Sequence, residues 1–565
     1  MRIVIELSCW PDTKSRVFQQ PASSMKTVSV YPPTGYQQLQ SILEGLSQLE
    51  PVRFQEVSGL QNTGGDALIL VGVPFAVVQQ AVAARRPVFA FTSEGPQLSG
   101  NREVPIQFAR SALLDPVLRG QQLHDSVPPI ACQPFIPTAD VLASKGDHPV
   151  WTHIRFAGAT ADIVAYGPPS LGDLEYLFQS FRRGRFMPLL PLLHFLRQVT
   201  AGGGFQRPSL RACLMFDDPN LHWSSFGHIA YDSLVESAKR HNYHVSFATI
   251  PLDAWFVHQP TARLFRENTD HLSVLIHGNN HTRRELTQGR TEESRLKLGA
   301  QALRRIDRFE ALARLEVARV MAAPHGACDG EMAGALLRLG FEAACISRGS
   351  LMSYNRHMKW PLSVGLNLAE FLGGALPVIP RFGLTNDYRT EIVLAAYMGQ
   401  AIIPVGHHDD VRKGYGLLED LARFINNLGQ ISWMNLRDIA RSNYLQRTCD
   451  RTLWVRAFSR RLRLTVSQPI QRLVIEHAWR HADDNPETVL IERMDQPATY
   501  PFEGRQASIT VDAPGPMEVV LRCVKHIDFR TVSAPPRLIW PPIRRLLAEG
   551  RDRLRPLLSP VNPSH

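Results

Sequence analysis

Two adjacent carboxylates, Asp217 and Asp218, end the apolar run LMF, and two histidines, His277 and His281, stand four residues apart after HLSVLI. Histidines at this spacing can hold one metal from a single turn of chain, and a carboxylate from elsewhere completes a three-ligand set with room for water. A divalent ion in such a site lowers the pKa of its water toward about 7. The other carboxylate of the doublet can then take a proton as the water attacks a carbonyl. The cation also offsets the repulsion between the neighbouring carboxylates. Two more polar groups end apolar runs: PHG, with His325, after VARVMAA, and HHDD, with His407 and His408, after AIIPVG. Asn220 and His222, just beyond the doublet, are candidates for substrate binding or for turn formation. Each piece alone is common as a turn, cap or exposed pair. Their joint occurrence at strand ends singles them out.

The elements that must position these groups run from Leu210 to about Gln446. RACLMF, YHVSFATI, HLSVLIH, VARVMAA, FEAACIS, LPVIPRF, AIIPVGH and ISWMN read as strands, with helical patterns between most of them, notably 292–315, 329–339 and 417–428. Strands that are apolar throughout are buried on both faces, as in a parallel sheet or barrel. A (β/α) barrel is the economical reading, an α/β fold whose chemistry gathers at the C-terminal ends of the strands.

The flanks read differently. Residues 1–200 alternate strand-like runs (MRIVIEL, DALILVGVP, RPVFAFT) with the helical YQQLQSILEGLSQLE, which predicts a separate α/β domain. It carries neither a phosphate-cradling glycine loop nor a nucleophile elbow, so no chemistry is assigned to it. Residues 453–535 switch to short alternating runs such as RLRLTVS, the period of a half-solvated antiparallel sheet, and read as a β-sandwich. Residues 536–565 form a basic amphipathic tail, read as a helix packed on the sandwich, with a membrane-surface helix as the alternative.

Composition narrows the classes. A chain of 565 residues exceeds what one core usually serves, and 44% hydrophobic with 20% charged residues is the balance of a globular protein. The net charge of +10 is spread over arginine-rich helices without a nucleic-acid-binding signature, so no nucleic-acid partner is expected. No apolar run reaches the roughly 18–20 residues of a membrane span. The start, MRIVIELSCWPDTKS, lacks the pattern of a signal peptide, which points to a cytoplasmic location. Seven scattered cysteines without CxxC spacing fit reduced thiols.

The residues in 210–444 resemble the polysaccharide deacetylases, the NodB-homology carbohydrate esterases. MFDDP resembles that family's TFDDG motif, HGNNH its HxxxH motif, AAPHG its RPPYG motif, and GHH its late histidine motif. By this resemblance Asp217 would be the general base, and Asp218, His277 and His281 the ligands of one divalent ion, zinc being expected. His407 would be the general acid, with His408 its rival, and the backbone N–H of His325 would help bind the oxyanion. The implied reaction is removal of an N-acetyl, or less often O-acetyl, group from a carbohydrate or glycan precursor. Hydrolysis of another amide, such as a cyclic imide, and a non-catalytic carbohydrate-binding role are the alternatives. The chain departs from the family where its third motif has arginine, here Ala322, and where its first has glycine, here Pro219-Asn220. It also lacks a clear tryptophan-bearing fourth motif.

Overall fold

The structure, a computed structural model, describes residues 25–558 except 61–63, 84, 93–103, 131–138, 157, 174, 203, 386–387, 467–468, 480–487, 494–495, 504, 512–513, 523–524 and 537. The strand expected in MRIVIEL, and Cys9, Cys132 and Cys523, lie outside the described residues. Cys213, Cys328, Cys345 and Cys449 are free thiols.

Seven parallel strands close into a barrel: β1 (Leu214–Asp217), β2 (Val245–Thr249), β3 (Leu272–His277), β4 (Val317–Ala322), β5 (Ala343–Ser347), β6 (Leu376–Gly383) and β7 (Pro404–Gly406). Each pairs with its neighbours in chain order, and β7 returns to β1, which completes the ring. Side chains alternate across each strand, so the two faces separate by parity. Met215, Leu275, Val320, Cys345 and Ile379 share one cluster inside the barrel. Phe216, Phe247, Val274 and Ile346 belong to the outer core beneath the helices. There Phe247 packs edge-on against Tyr231, with ring centroids 5.4 Å apart.

Seven strands, not eight, form the barrel. The last predicted strand, Ile431–Trp433, pairs instead with Leu210–Ala212 in a small separate sheet. The helix that follows, Leu436–Arg441, puts Leu436 and Ile439 into the interior cluster and closes its N-terminal end. The helices around the barrel include α1 (Tyr231–His241), α2 (Gln259–Glu267), α3 (Glu292–Ala313), α4 (Gly330–Arg338), α5 (Arg389–Tyr397) and α6 (Gly416–Asn426). The start of α3 is capped by Thr291, which accepts the Ser294 N–H at 3.2 Å. This satisfies one of the free donors of a helix N-terminus.

Before the barrel lies a nine-stranded mixed sheet. The buried helix Leu190–Thr200 leads from it to the barrel, and its Arg197 ties Glu50 to the Tyr397 carbonyl of α5. After the barrel, two four-stranded sheets form the sandwich. Its strand Arg461–Val466 buries Leu462, Leu464 and Val466 and exposes or half-exposes the residues between.

The tail is a helix, α7 (Trp540–Leu558), and its described side chains bond to the barrel rather than to the sandwich. The chain leaving the sandwich is strapped along the barrel, where Arg304 of α3 donates to the carbonyls of Phe529 and Val532. This carries α7 to the rim at the C-terminal ends of the strands. There its charged side chains, rather than its apolar ones, find the partners described below.

Candidate metal-dependent active site

Parity inside the barrel fixes what reaches its mouth. One step beyond Met215 on β1 comes Asp217; beyond Leu275 on β3, His277; beyond Ile379 on β6, Arg381. These three therefore point inward at the C-terminal rim, where they line one cleft with Asp218, His281, His325 and His407.

Asp217 is 5% exposed and accepts a hydrogen bond from Arg381 at 3.0 Å. Burial would push its carboxyl up, but the Arg381 guanidinium and then His277 overcome this and hold it below the ordinary carboxylate range. Arg381 was not legible as a site residue from motif matching. The guanidinium absent at Ala322 comes from β6, two strands further on. A lone charge closing the apolar strand LPVIPRF was the available signal.

Asp218 takes a left-handed backbone conformation, φ +83°, which turns its side chain to the histidines. Its Oδ1 lies 3.5 Å from His277 Nε2 and 3.1 Å from His281 Nε2. Candidate donor atoms of the three residues all fall within 4.8 Å of one another. Asp218 Oδ1 is buried without a hydrogen-bond partner among the described residues. A buried acceptor left in that state is unfavourable unless something binds it. Burial raises the Asp218 carboxyl, yet His277, His281 and Arg545 bring it down to about 2. Burial and then His277 lower His281 to about 3. An ionised carboxylate facing an imidazole that burial keeps neutral, as at Asp218 and His281, suits a cation. His277 Nδ1 is 2.9 Å from the Ala322 carbonyl, to which it donates, leaving the Nε2 lone pair facing Asp218. The residues present thus fit a divalent ion held by one oxygen and two nitrogens.

The loop between the histidines is built on a side chain that spacing did not reveal. The Glu285 carboxylate accepts the backbone N–H groups of Asn279 at 2.7 Å, Asn280 at 2.9 Å and His281 at 3.1 Å. Gly278 lies beneath it at φ +64°, and a Cβ there would come within 2.2 Å of Glu285 Oε1 and 2.5 Å of Pro324 Cγ. Arg305 of α3 pins the loop from outside through Asn279 and Asn280. From α7, Arg544 donates to the His281 carbonyl and approaches its Nδ1 at 3.4 Å. A metal on His281 Nε2 requires a proton on Nδ1, so binding would keep the carbonyl contact and give up the longer one.

The remaining sequence candidates separate. His325, at φ +54°, and His407 are exposed at the mouth of the cleft; the His325 ring is 5.4 Å from that of His281. His408 is buried outside the cleft, packed on Phe226 and stacked with His228, ring centroids 5.6 and 5.7 Å away. With His228 and Asp409 it forms a second histidine–carboxylate group. Asn220 and His222, 2% and 4% exposed, are not brought to the cleft. Asn220 donates to Asp253 at 3.3 Å, and His222 contacts the Asp253 carbonyl at 2.8 Å and Glu549 of α7 at 3.2 Å. Burial works against charge on His222, but Glu549 and the Asp253 carbonyl outweigh it and raise its pKa. Arg545 completes this network, with bonds to Asp253 at 2.8 Å and to the Asp218 carbonyl at 3.0 Å. These residues lock the doublet's loop in place.

Comparison with known proteins returns solved structures only; no family model and no curated protein matches the chain. The carbohydrate deacetylase Agd3 is similar over 86% of this chain and 98% of its own, at 10% identity and a TM-score of 0.46. The peptidoglycan deacetylase PdaC from Bacillus subtilis covers 42% of this chain and 91% of its own, at 13% identity and a TM-score of 0.24. A family 4 carbohydrate esterase from Streptomyces lividans in complex with acetate covers 40% and 88%, at 11% identity and a TM-score of 0.22.

Proposed function

We propose that this chain is a metal-dependent hydrolase that removes an acetyl group, N-acetyl foremost, from a carbohydrate or glycan precursor. One observation carries the reading. Asp218, His277 and His281 converge with an unpartnered carboxylate oxygen, directly beside a second carboxylate, Asp217, that an arginine keeps ionised. Zinc suits one carboxylate and two imidazoles. A divalent ion held there would supply Lewis-acid polarisation of the acetyl carbonyl and acidify a water.

The chain's own groups divide the rest. Asp217, ionised and fixed by Arg381, accepts the proton of the attacking water. Arg381 cannot itself take that proton, since a guanidinium stays charged. His407, at the exposed side of the same cleft, delivers a proton to the leaving amine. The backbone N–H of His325, in its tight turn, is offered to the developing oxyanion. Asn220 and His222 act by holding the Asp217–Asp218 loop and are not assigned to substrate.

The test is acetate release by the metal-loaded protein from a panel of N-acetylated sugars, sugar nucleotides and oligosaccharides, with cyclic imides alongside. Asp217→Asn should bind metal like the wild type and release acetate ~10²–10⁴-fold more slowly. An unchanged rate removes Asp217 as base, and imide cleavage without acetate release would replace the substrate class.

A further inference from the structure

Among the described residues, all the exposed large apolar side chains except Val141 and Leu312 gather in one region. Leu538, Ile539, Trp540, Ile543, Leu546 and Leu547 are 44–78% exposed on α7 and the residues leading into it. Trp223, Trp255 and Phe256 are 43–58% exposed on the neighbouring barrel loops. The two sets meet at His222, whose ring is 5.0 Å from that of Trp255 and which also contacts Glu549 of α7.

Helix α7 is amphipathic in an inverted sense. A helix docked on a globular protein ordinarily buries its apolar stripe. Here Arg545 and Glu549, one turn apart, are buried against Asp253 and His222, while Ile543, Leu546 and Leu547 face outward. Arg545 and Glu549 fix the helix to the barrel, and among the described residues the apolar face is left over. An apolar surface of this kind marks an interaction site.

Charge indicates what meets it. Besides the buried pair Arg545 and Glu549, residues 540–558 hold four arginines against one acidic residue, and Arg283, Arg284 and Arg544 cluster beside His325 on the same rim. A second copy of the chain would bring these like charges together. An anionic surface would neutralise them, and exposed tryptophans among aliphatic and basic residues suit the interface of a bilayer. No helix among the described residues is long and apolar enough to cross a membrane. We propose that the outward face of α7, with Trp223, Trp255 and Phe256, docks this chain on an anionic lipid surface.

Arg544, Arg545 and Leu547 also border the opening that contains Asp218 and His281. A docked molecule would therefore present the cleft to glycans carried at the membrane. That consequence rests on the hydrolase reading; the docking does not.

The experiment is co-sedimentation of the full-length chain with sucrose-loaded vesicles. Phosphatidylcholine alone is compared with an equal mixture of phosphatidylcholine and phosphatidylglycerol, without substrate or activity assay. The wild type should sediment with the mixed vesicles, much less with phosphatidylcholine, and be released as salt rises. The double variant Ile543→Glu, Leu546→Glu should bind at least about tenfold more weakly, with unchanged thermal melting. Should that variant fail to fold, Trp223→Ser with Trp255→Ser, which leaves the helix intact, should weaken binding in the same direction. The proposal is overturned if the wild type stays in the supernatant with anionic vesicles at low salt. It is equally overturned if the folded variants sediment like the wild type, or if the wild type is a dimer that the glutamates dissociate, since a second copy then covers this face.

Discussion

Asp217 depends on Arg381 more closely than on any residue the motifs contain. The pair is buried, at 5% and 8% exposure, so removing the guanidinium leaves a carboxylate in a site that disfavours its charge. Arg381→Ala should bind metal yet lose activity roughly 10–100-fold, the usual loss when a positioning partner is removed. The pH dependence gives a sharper reading. Arg381 lowers the Asp217 pKa against burial, so its loss raises that pKa, and the acidic limb of the rate profile should move to higher pH. A variant whose rate falls with no shift of that limb would limit Arg381 to a packing role. At this scale the sequence was legible where chemistry is carried by local spacing: Asp217, Asp218, His277 and His281 do converge. Arg381 escaped because it lies 164 residues from its partner, and a contact of that range leaves no periodic trace.

The elements explain why the convergence holds. Inside the barrel, small or flexible residues such as Cys345, Ala322 and Met215 fill the layer beneath the site, and period-two alternation delivers Asp217, His277 and Arg381 to the layer above. The turn from His277 to His281 has no regular structure of its own; the Glu285 carboxylate supplies its order by collecting three backbone N–H groups. Gly278 is the position where that packing excludes a side chain, and its positive φ disfavours one as well. Gly278→Ala should therefore displace Glu285 or the Pro324 turn and weaken metal binding about 10–100-fold while the barrel stays folded. Wild-type affinity in a folded Gly278→Ala protein would mean that the loop adjusts without disturbing His281. The strands were readable from the apolar runs because burial on both faces leaves few polar positions. The eighth run, ISWMN, misled because its residues are half-buried in a two-stranded sheet and have no place in the ring.

The whole molecule places what its parts leave unassigned. A tail read as packing on the sandwich instead crosses the barrel and supplies Arg545 to Asp253 and to the Asp218 carbonyl. Helical periodicity located α7 correctly but could not reveal its partner. Periodicity predicts that the apolar stripe is buried, whereas in this fold the arginine and glutamate are. The α/β region, the barrel and the sandwich contribute to one continuous buried cluster, so the candidate ligands Asp218, His277 and His281 stand on a frame larger than the barrel alone. We propose that this frame holds one divalent ion between Asp218, His277 and His281. The direct measurement is equilibrium dialysis of metal-stripped full-length protein against zinc, with metal read by mass spectrometry. Binding should saturate at one tightly bound ion per chain and be weakened at least ~100-fold in both Asp218→Asn and His277→Ala. An absence of tight binding to folded wild type, or binding that survives both substitutions undiminished, would contradict it.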